Sequence, residues 1–283
     1  MMHDDKTPKS NFTCHFHMAN VLINPLATSS QLQNTPSHSD GIDSKTERLL
    51  RCTGVHLVQS AGILLKLPQP CIATAMVLFQ RFYMMSSLRQ FSIKDIGMGS
   101  LFLASKSCEE PRKVRDIINV YTYLLSSKPF KVPEYFDQAY YDQREALFIA
   151  EMQLLKRLGF QMNVALPYGL AINYLQLLEA TDLVQKVWNL INDSLQSIVH
   201  CVHPPSTIAS ACIWIATREE KKKLPRDWWE LFDVEFDDLI GTAAGIKSVY
   251  GQARDGPVGL TALENYLKSE EQLSDLEEQS GSR

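Results

Sequence analysis

The sequence predicts an all-α protein made of two five-helix bundles in tandem, and three observations carry that expectation. Apolar residues recur at three- and four-residue spacing in one segment after another. Prolines and glycines cut the segments apart, at Pro68, Pro70, Pro111, Pro129, Pro133, Gly159, Pro167, Pro204 and Pro205. The chain also echoes itself: LFLASK at 101–106 matches IWIATR at 213–218, and each is followed by paired glutamates and then a proline.

Residues 1–41 are rich in Ser, Thr, Asn, Gln and His, and read as a mostly disordered leader. Within it, VLINPL at 21–26 suits a short extended segment docked on the folded part. The first bundle occupies 42–161. Its first helix is expected from about Ser44 to Lys66, capped by Asp43 or Ser44, with Glu47 placed for a capping box. Leu50, Val55 or Leu57, Val58, Ala61 and Leu65 supply its apolar face. Pro68 and Pro70 open a second helix with Ile72, Ala75 or Met76, Phe79, and Phe82 or Tyr83 inward. The third begins near Ser92 and buries Ile93, Ile96, Ser100, Leu103 and Ala104. Gly97 and Gly99 replace better helix formers, which points to a close neighbouring backbone. Pro111 stops that helix, a fourth runs from Arg112 to about Ser126, and a fifth from about Glu134 to Leu158, with Gly159 as C-cap.

The second bundle occupies 162–250. One helix holds Leu170, Tyr174, Leu177 and Leu178, and a long one is expected from about Leu183 to Val202. Pro204 and Pro205 start STIASACIWIATREE, a short segment carries DWWEL, and the last helix runs from about Glu235 to Tyr250. Residues 251–283 form an acidic tail, with a short helix near Leu260–Leu267.

Two residues violate this patterning. Lys106 follows Phe102 and Leu103 by four and three positions, so its stem shares their face while its ammonium needs an anion or water. Glu151 falls on the stripe of Leu147, Leu154, Leu155 and Leu158, where a carboxylate is costly unless paired. Each charge either snorkels separately to solvent, or the two pair and present charge to another protein.

At these residues the sequence resembles the cyclin family. LASK followed by acidic residues, then PRKVRDIINV, then a Glu nine residues before a GF helix end, looks like a cyclin box; RDIINV, AGILLKLPQ and LFQRFY are most similar to the L type. The resemblance spans roughly 43–250 and implies tandem cyclin boxes. It also implies a kinase-binding face centred on Lys106 and Glu151 and flanked by Phe102, Leu147 and Phe148. The implied partner is a cyclin-dependent protein kinase of the transcription- and splicing-linked branch, in the nucleus.

Some positions depart from the family's pattern. Ser107 stands where a large apolar residue is usual, and Cys108 where an acid is usual. The substrate-docking motif on the first helix reads Leu50, Arg51, Cys52, Thr53, Gly54, which makes a docking groove doubtful. The acidic tail has no Arg–Ser repeats, so a splicing role is less secure than kinase activation.

Composition fits a binding protein. The net charge of −4 and a pI near 6.0 argue against a dedicated nucleic-acid binder. No apolar run is long enough for a membrane span, no signal-peptide pattern opens the chain, and six scattered cysteines without CxxC favour a reducing compartment. No phosphate loop, GxSxG, HExxH or zinc-ribbon spacing is present, so no enzyme activity, metal or cofactor is expected. Cys14, His15 and His17, and separately His200, Cys201 and His203, are better explained by chance and by packing than as ligands. Trp214, Trp228 and Trp229 are expected to pack. Lys221–Lys223 suits a solvated face, with a nuclear-import signal second. The competing functions are a IIB-type general transcription factor core, which would need a basic DNA-facing surface, and a scaffold that binds no kinase.

Overall fold

A computed structural model describes residues 26–126 and 138–253. Among these there are twelve α-helices and no strand. Two short helices come first, α1 (Ser29–Gln33) and α2 (Pro36–Ser39). The first bundle follows with α3 (Ser44–Leu64), α4 (Gln69–Met85), α5 (Ile93–Ser107), α6 (Val114–Leu125) and α7 (Gln138–Arg157). The second contains α8 (Tyr168–Leu177), α9 (Val184–Ser194), α10 (Val199–Val202), α11 (Pro205–Glu219) and α12 (Phe236–Ala253). Each bundle wraps around one apolar helix. α5 touches α3, α4, α6 and α7, and α11 touches α8, α9, α10 and α12. The expected apolar faces are inside: Val55, Val58, Ala61, Ile72, Phe79, Phe82, Ile96 and Ile117 are almost wholly buried.

Close neighbours explain both glycines of α5: the expected backbone, that of α7, approaches at Gly99, whereas at Gly97 the neighbour is the Tyr121 side chain. A Cβ on Gly97 would lie 2.9 Å from the Tyr121 hydroxyl, and one on Gly99 would lie 3.0–3.1 Å from Ala150 and the Glu151 nitrogen. Gly99 therefore lets α5 and α7 pack closely at the level of Glu151.

Four expectations need correction. Residues 29–39 belong to the fold rather than to a disordered leader, because local caps and long-range bonds hold them. The Thr28 and Thr35 side chains cap α1 and α2. Buried Ser37 accepts from the Leu88 amide at 3.1 Å, and Ala27 N–H donates to the Cys201 carbonyl at 2.7 Å. Glu47 makes no capping box. Asp43 alone caps α3, accepting from the Lys45 and Thr46 amides, while Glu47 is buried and receives Arg51 and the Thr35 hydroxyl.

The expected 183–202 helix is broken. Ser194 Oγ donates to the Ile191 carbonyl and meets His200 Nε2 at 2.8 Å, and Ser197 Oγ donates to the Ser194 carbonyl. Side-chain hydroxyls thus take up backbone acceptors where the helix would continue. DWWEL supplies a 3₁₀ turn, Trp228–Phe232, so the second bundle's five α-helices are not quite the five expected. The start of the fifth helix near Glu134, VLINP at 21–25, Cys14, His15 and His17, and the tail helix at 260–267 lie outside the described residues.

Candidate docking site

Lys106 sits in the last turn of α5, where a cation also complements the helix C-terminus. The aromatic ring four residues earlier supports it: the ammonium lies 4.2 Å from the centre of the Phe102 ring. Glu151 is on α7, at the level where Gly99 admits the α7 backbone. The two side chains form an ion pair, Lys106 Nζ to Glu151 Oε1. Its sides differ in exposure, with the Lys106 side chain 44% accessible and that of Glu151 13%. The two charges therefore do not go separately to solvent, and the pairing that the other alternative requires is present.

Phe102 and Phe148 meet edge-on with ring centres 6.3 Å apart, and the Arg144 guanidinium lies 5.5 Å from the Phe148 ring. Lys106, Phe102, Phe148 and Arg144 thus form one row across α5 and α7. Phe148 is exposed, while Phe102 is nearly buried and supports the row from below. Leu147 departs from expectation as a surface contact. It is fully buried, because it points to the α5 side of α7 with Ala150 and Leu154. Its part is to hold α7 in place.

Sequence reading missed Tyr141, Ile149, Met152 and Phe160, which are all exposed. Tyr141, Phe148 and Met152 are spaced at i, i+7 and i+11 and form a second stripe on α7 beside the buried one. A signal existed: LFIAEMQLL is apolar on more than one helix face, which a helix packed on one side does not need. Phe160 follows Gly159, both with positive φ, and is 73% accessible.

The second bundle repeats part of this arrangement. Arg218, in the last turn of α11, lies 4.4 Å from the ring of Trp214 four residues earlier. The acidic counterpart is not repeated among the described residues: Arg218 has no carboxylate partner there, and the neighbouring Glu219 pairs with Lys247 of α12 and Lys186 of α9.

A model of the cyclin N-terminal domain matches residues 24–163. Human cyclin-L2 is 39% identical over 255 residues, 88% of this chain and 48% of that protein. The chain belongs to the cyclin family. Frog (Xenopus laevis) cyclin-L1 is 42% identical over 221 residues, covering 76% of this chain and 45% of its own length. The chain thus spans about half the length of the curated relatives it matches. Among solved structures, a chain of the yeast RNA Pol II CTD kinase CTDK-1 complex superposes with a TM-score of 0.70 at 17% identity. It covers 87% of this chain and 83% of that one. A chain of the yeast TFIIK complex gives 0.54 at 19% identity, covering 79% and 95%. Both bundles of this cyclin are cyclin boxes.

Other sequence candidates have structural roles. His200 is buried against Ser194, and burial together with the Arg81 charge drives its pKa down to about 3. Burial pushes the Cys201 thiol up to about 11, and among the described residues no His, Cys, Asp and Glu cluster could hold a metal. Trp228 is buried and Trp229 packs edge-on against it. No described helix is long and apolar enough to cross a membrane. In the motif at 50–54, Leu50, Arg51, Thr53 and Gly54 are buried, so these side chains are taken up by the fold and not presented at the surface.

Proposed function

We propose that this cyclin is the regulatory subunit that binds and activates a cyclin-dependent serine/threonine protein kinase. In this proposal the complex works in the nucleus on RNA polymerase II transcription and pre-mRNA processing. The observation that carries the reading is the Lys106–Glu151 pair between α5 and α7, set beside an exposed apolar stripe on α7. Sequence kinship to L-type cyclins supports the process, and likeness of fold to chains of kinase complexes fits the partner class.

The mechanism is selective binding rather than chemistry. A protein kinase works when its β3 Lys pairs with the Glu of helix αC and its activation loop is ordered. A rigid surface packed against αC favours that arrangement only by binding it more tightly than the alternative. Moving a kinase from 1% to 99% active in this way takes about 5.5 kcal/mol of differential affinity. Tyr141, Phe148, Ile149 and Met152 supply apolar area for this, and the ion pair supplies orientation.

Lys106→Glu would set two carboxylates together at the centre of the interface. Truncating or reversing one partner of a desolvated pair costs about 2–5 kcal/mol of binding, or roughly 30- to 4,000-fold at 1.4 kcal/mol per decade. The test is affinity purification from nuclear extract with mass spectrometry, comparing the native chain with Lys106→Glu and Glu151→Lys. A kinase recovered with the native chain and lost from both variants is expected. Equal recovery and equal kinase activity with either variant would remove this site from consideration.

A further inference from the structure

A second site lies on the second box and uses none of the residues of the kinase reading. Lys221 and Lys222 of the lysine run, together with Trp214, Trp228 and Trp229, line one surface pocket of about 380 Å³. It sits between the end of α11 and the 3₁₀ turn at Trp228–Phe232. A Schellman closure ends α11: the Lys222 amide donates to the Thr217 carbonyl at 2.9 Å and the Lys221 amide to the Arg218 carbonyl at 3.4 Å. Lys221 thus takes the left-handed position where glycine is usual, and the chain doubles back to bring Arg226 to the pocket of Arg218.

The pocket is a positive spot on a chain of net charge −4. Four cations line it, Arg218, Lys221, Lys222 and Arg226, against one carboxylate, that of Asp227. The acids nearest in sequence are engaged elsewhere: Glu219 pairs with Lys247 and Lys186, and Glu220 with Lys186 at 2.6 Å. Asp182 takes Lys222. Arg218, Lys221 and Arg226 have no carboxylate partner among the described residues. The Arg218 guanidinium lies over the Trp214 ring at 4.4 Å, which orients its fork without using its N–H donors. Trp229, half-buried, carries the wall on to exposed Phe236, with ring centres 5.1 Å apart. Single unpaired cations are ordinary on a surface, but three on one small pocket concentrate charge. A phosphate monoester brings a charge of about −1.5 to −2 and three acceptor oxygens, which suits three such donors. A nucleic-acid strand suits it less. Strand-binding grooves track about 4–16 nucleotides of backbone, whereas these cations end at one pocket bordered in sequence by Glu219, Glu220, Asp227 and Glu230.

We propose that this pocket docks a protein segment carrying a phosphorylated serine or threonine next to a bulky apolar side chain. The phosphate binds Arg218, Lys221 and Arg226, and the apolar neighbour lies on Trp229 and Phe236.

The probe is a short glycine peptide with phosphoserine followed by phenylalanine, titrated into the isotope-labelled full chain while the tryptophan indole N–H signals are followed by NMR. Comparison peptides carry serine or glutamate in place of phosphoserine, or glycine in place of phenylalanine, and a short uridine oligonucleotide is the nucleic-acid arm. The phosphoserine peptide should bind saturably and move the Trp214 and Trp229 signals. Arg218→Gln and Arg226→Gln should each weaken it by about tenfold or more, while Lys45→Ala, on the first box, leaves it unchanged. Removing the phenylalanine should weaken it by about threefold or more. Arg226 is exposed, so Arg226→Gln decides the matter alone if Arg218→Gln disturbs the fold around Trp214. No saturable binding of the phosphoserine peptide would overturn the proposal. So would equal binding of the serine or glutamate peptide, binding unchanged in Arg226→Gln or without the phenylalanine, or tighter binding of the oligonucleotide at the same signals.

Discussion

Gly99→Ala tests the link between packing and docking more sharply than any change on the surface. In an ordinary helix interior this substitution stabilises, by about 0.5–1 kcal/mol, because alanine loses less conformational freedom on folding. Here the new Cβ would sit 3.0 Å from the Ala150 Cβ, 3.1 Å from the Ala150 carbonyl carbon and 3.1 Å from the Glu151 nitrogen. Comfortable carbon contacts lie at about 3.5–4.0 Å, so α5 and α7 must separate by about half an ångström. Two of the three contacts are backbone, which no rotamer change can relieve. Overpacking of this kind costs about 1–3 kcal/mol. After the propensity gain, a net loss of up to about 2.5 kcal/mol, centred near 1 kcal/mol, remains.

Gly241→Ala provides the control. Gly241 lies inside α12, and nothing stands within 4 Å of a Cβ there, so the same chemical change should add about 0.5–1 kcal/mol. The two variants should differ by about 2 kcal/mol, or roughly 4–8 °C in Tm at 2–4 °C per kcal/mol. Urea and thermal unfolding of the purified chain measure this. Because the shift falls on the Glu151 backbone, kinase recovery should also drop in Gly99→Ala and not in Gly241→Ala. If Gly99→Ala gained stability as Gly241→Ala does, the close α5–α7 contact would not be what that glycine serves.

Adjacent residues on α7 should separate stability from binding. Leu147→Ala should cost about 2–5 kcal/mol of stability, whereas exposed Phe148→Ala should change unfolding by about 0.5 kcal/mol or less while weakening kinase recovery; unfolding curves and pull-downs on the same samples decide. Glu47→Ala would leave Arg51 buried without its carboxylate, and a loss of about 3–5 kcal/mol is expected by urea denaturation. His200, held neutral in the fold and titrating near its ordinary value of about 6.5 when unfolded, makes stability pH-dependent. The unfolded chain takes up a proton below that value and the folded chain does not until near pH 3. Its contribution is therefore complete above about pH 6.5 and shrinks as pH falls, with a slope of at most about 1.4 kcal/mol per pH unit. His200→Gln should flatten that part of the profile in unfolding measured from pH 7.5 to 4.5.

Lys106 and Glu151 were legible as anomalies because each breaks a helical apolar pattern at a known register. Their meeting was not, since forty-five positions separate them and only the α5–α7 contact through Gly99 brings them together. Helix order was readable from prolines and periodicity, which act within a few residues. The break at 195–198 escaped, because serine hydroxyls competing for carbonyls leave no mark in an apolar pattern. Leu147 and Phe148 show the same boundary. Both are large and apolar on one helix, and only the position of α5 decides which is core and which is surface.

By itself, then, the sequence determined an all-helical chain with two related halves, its cyclin kinship and the pair of charges that do not belong on apolar faces. Tertiary structure decided that those charges meet, that part of the leader is folded, and that Leu147 is core while Phe148 is surface. The reason is range: helix propensity and periodicity act over a turn or two of chain. Which side chain faces a partner depends instead on how helices far apart in sequence pack against one another.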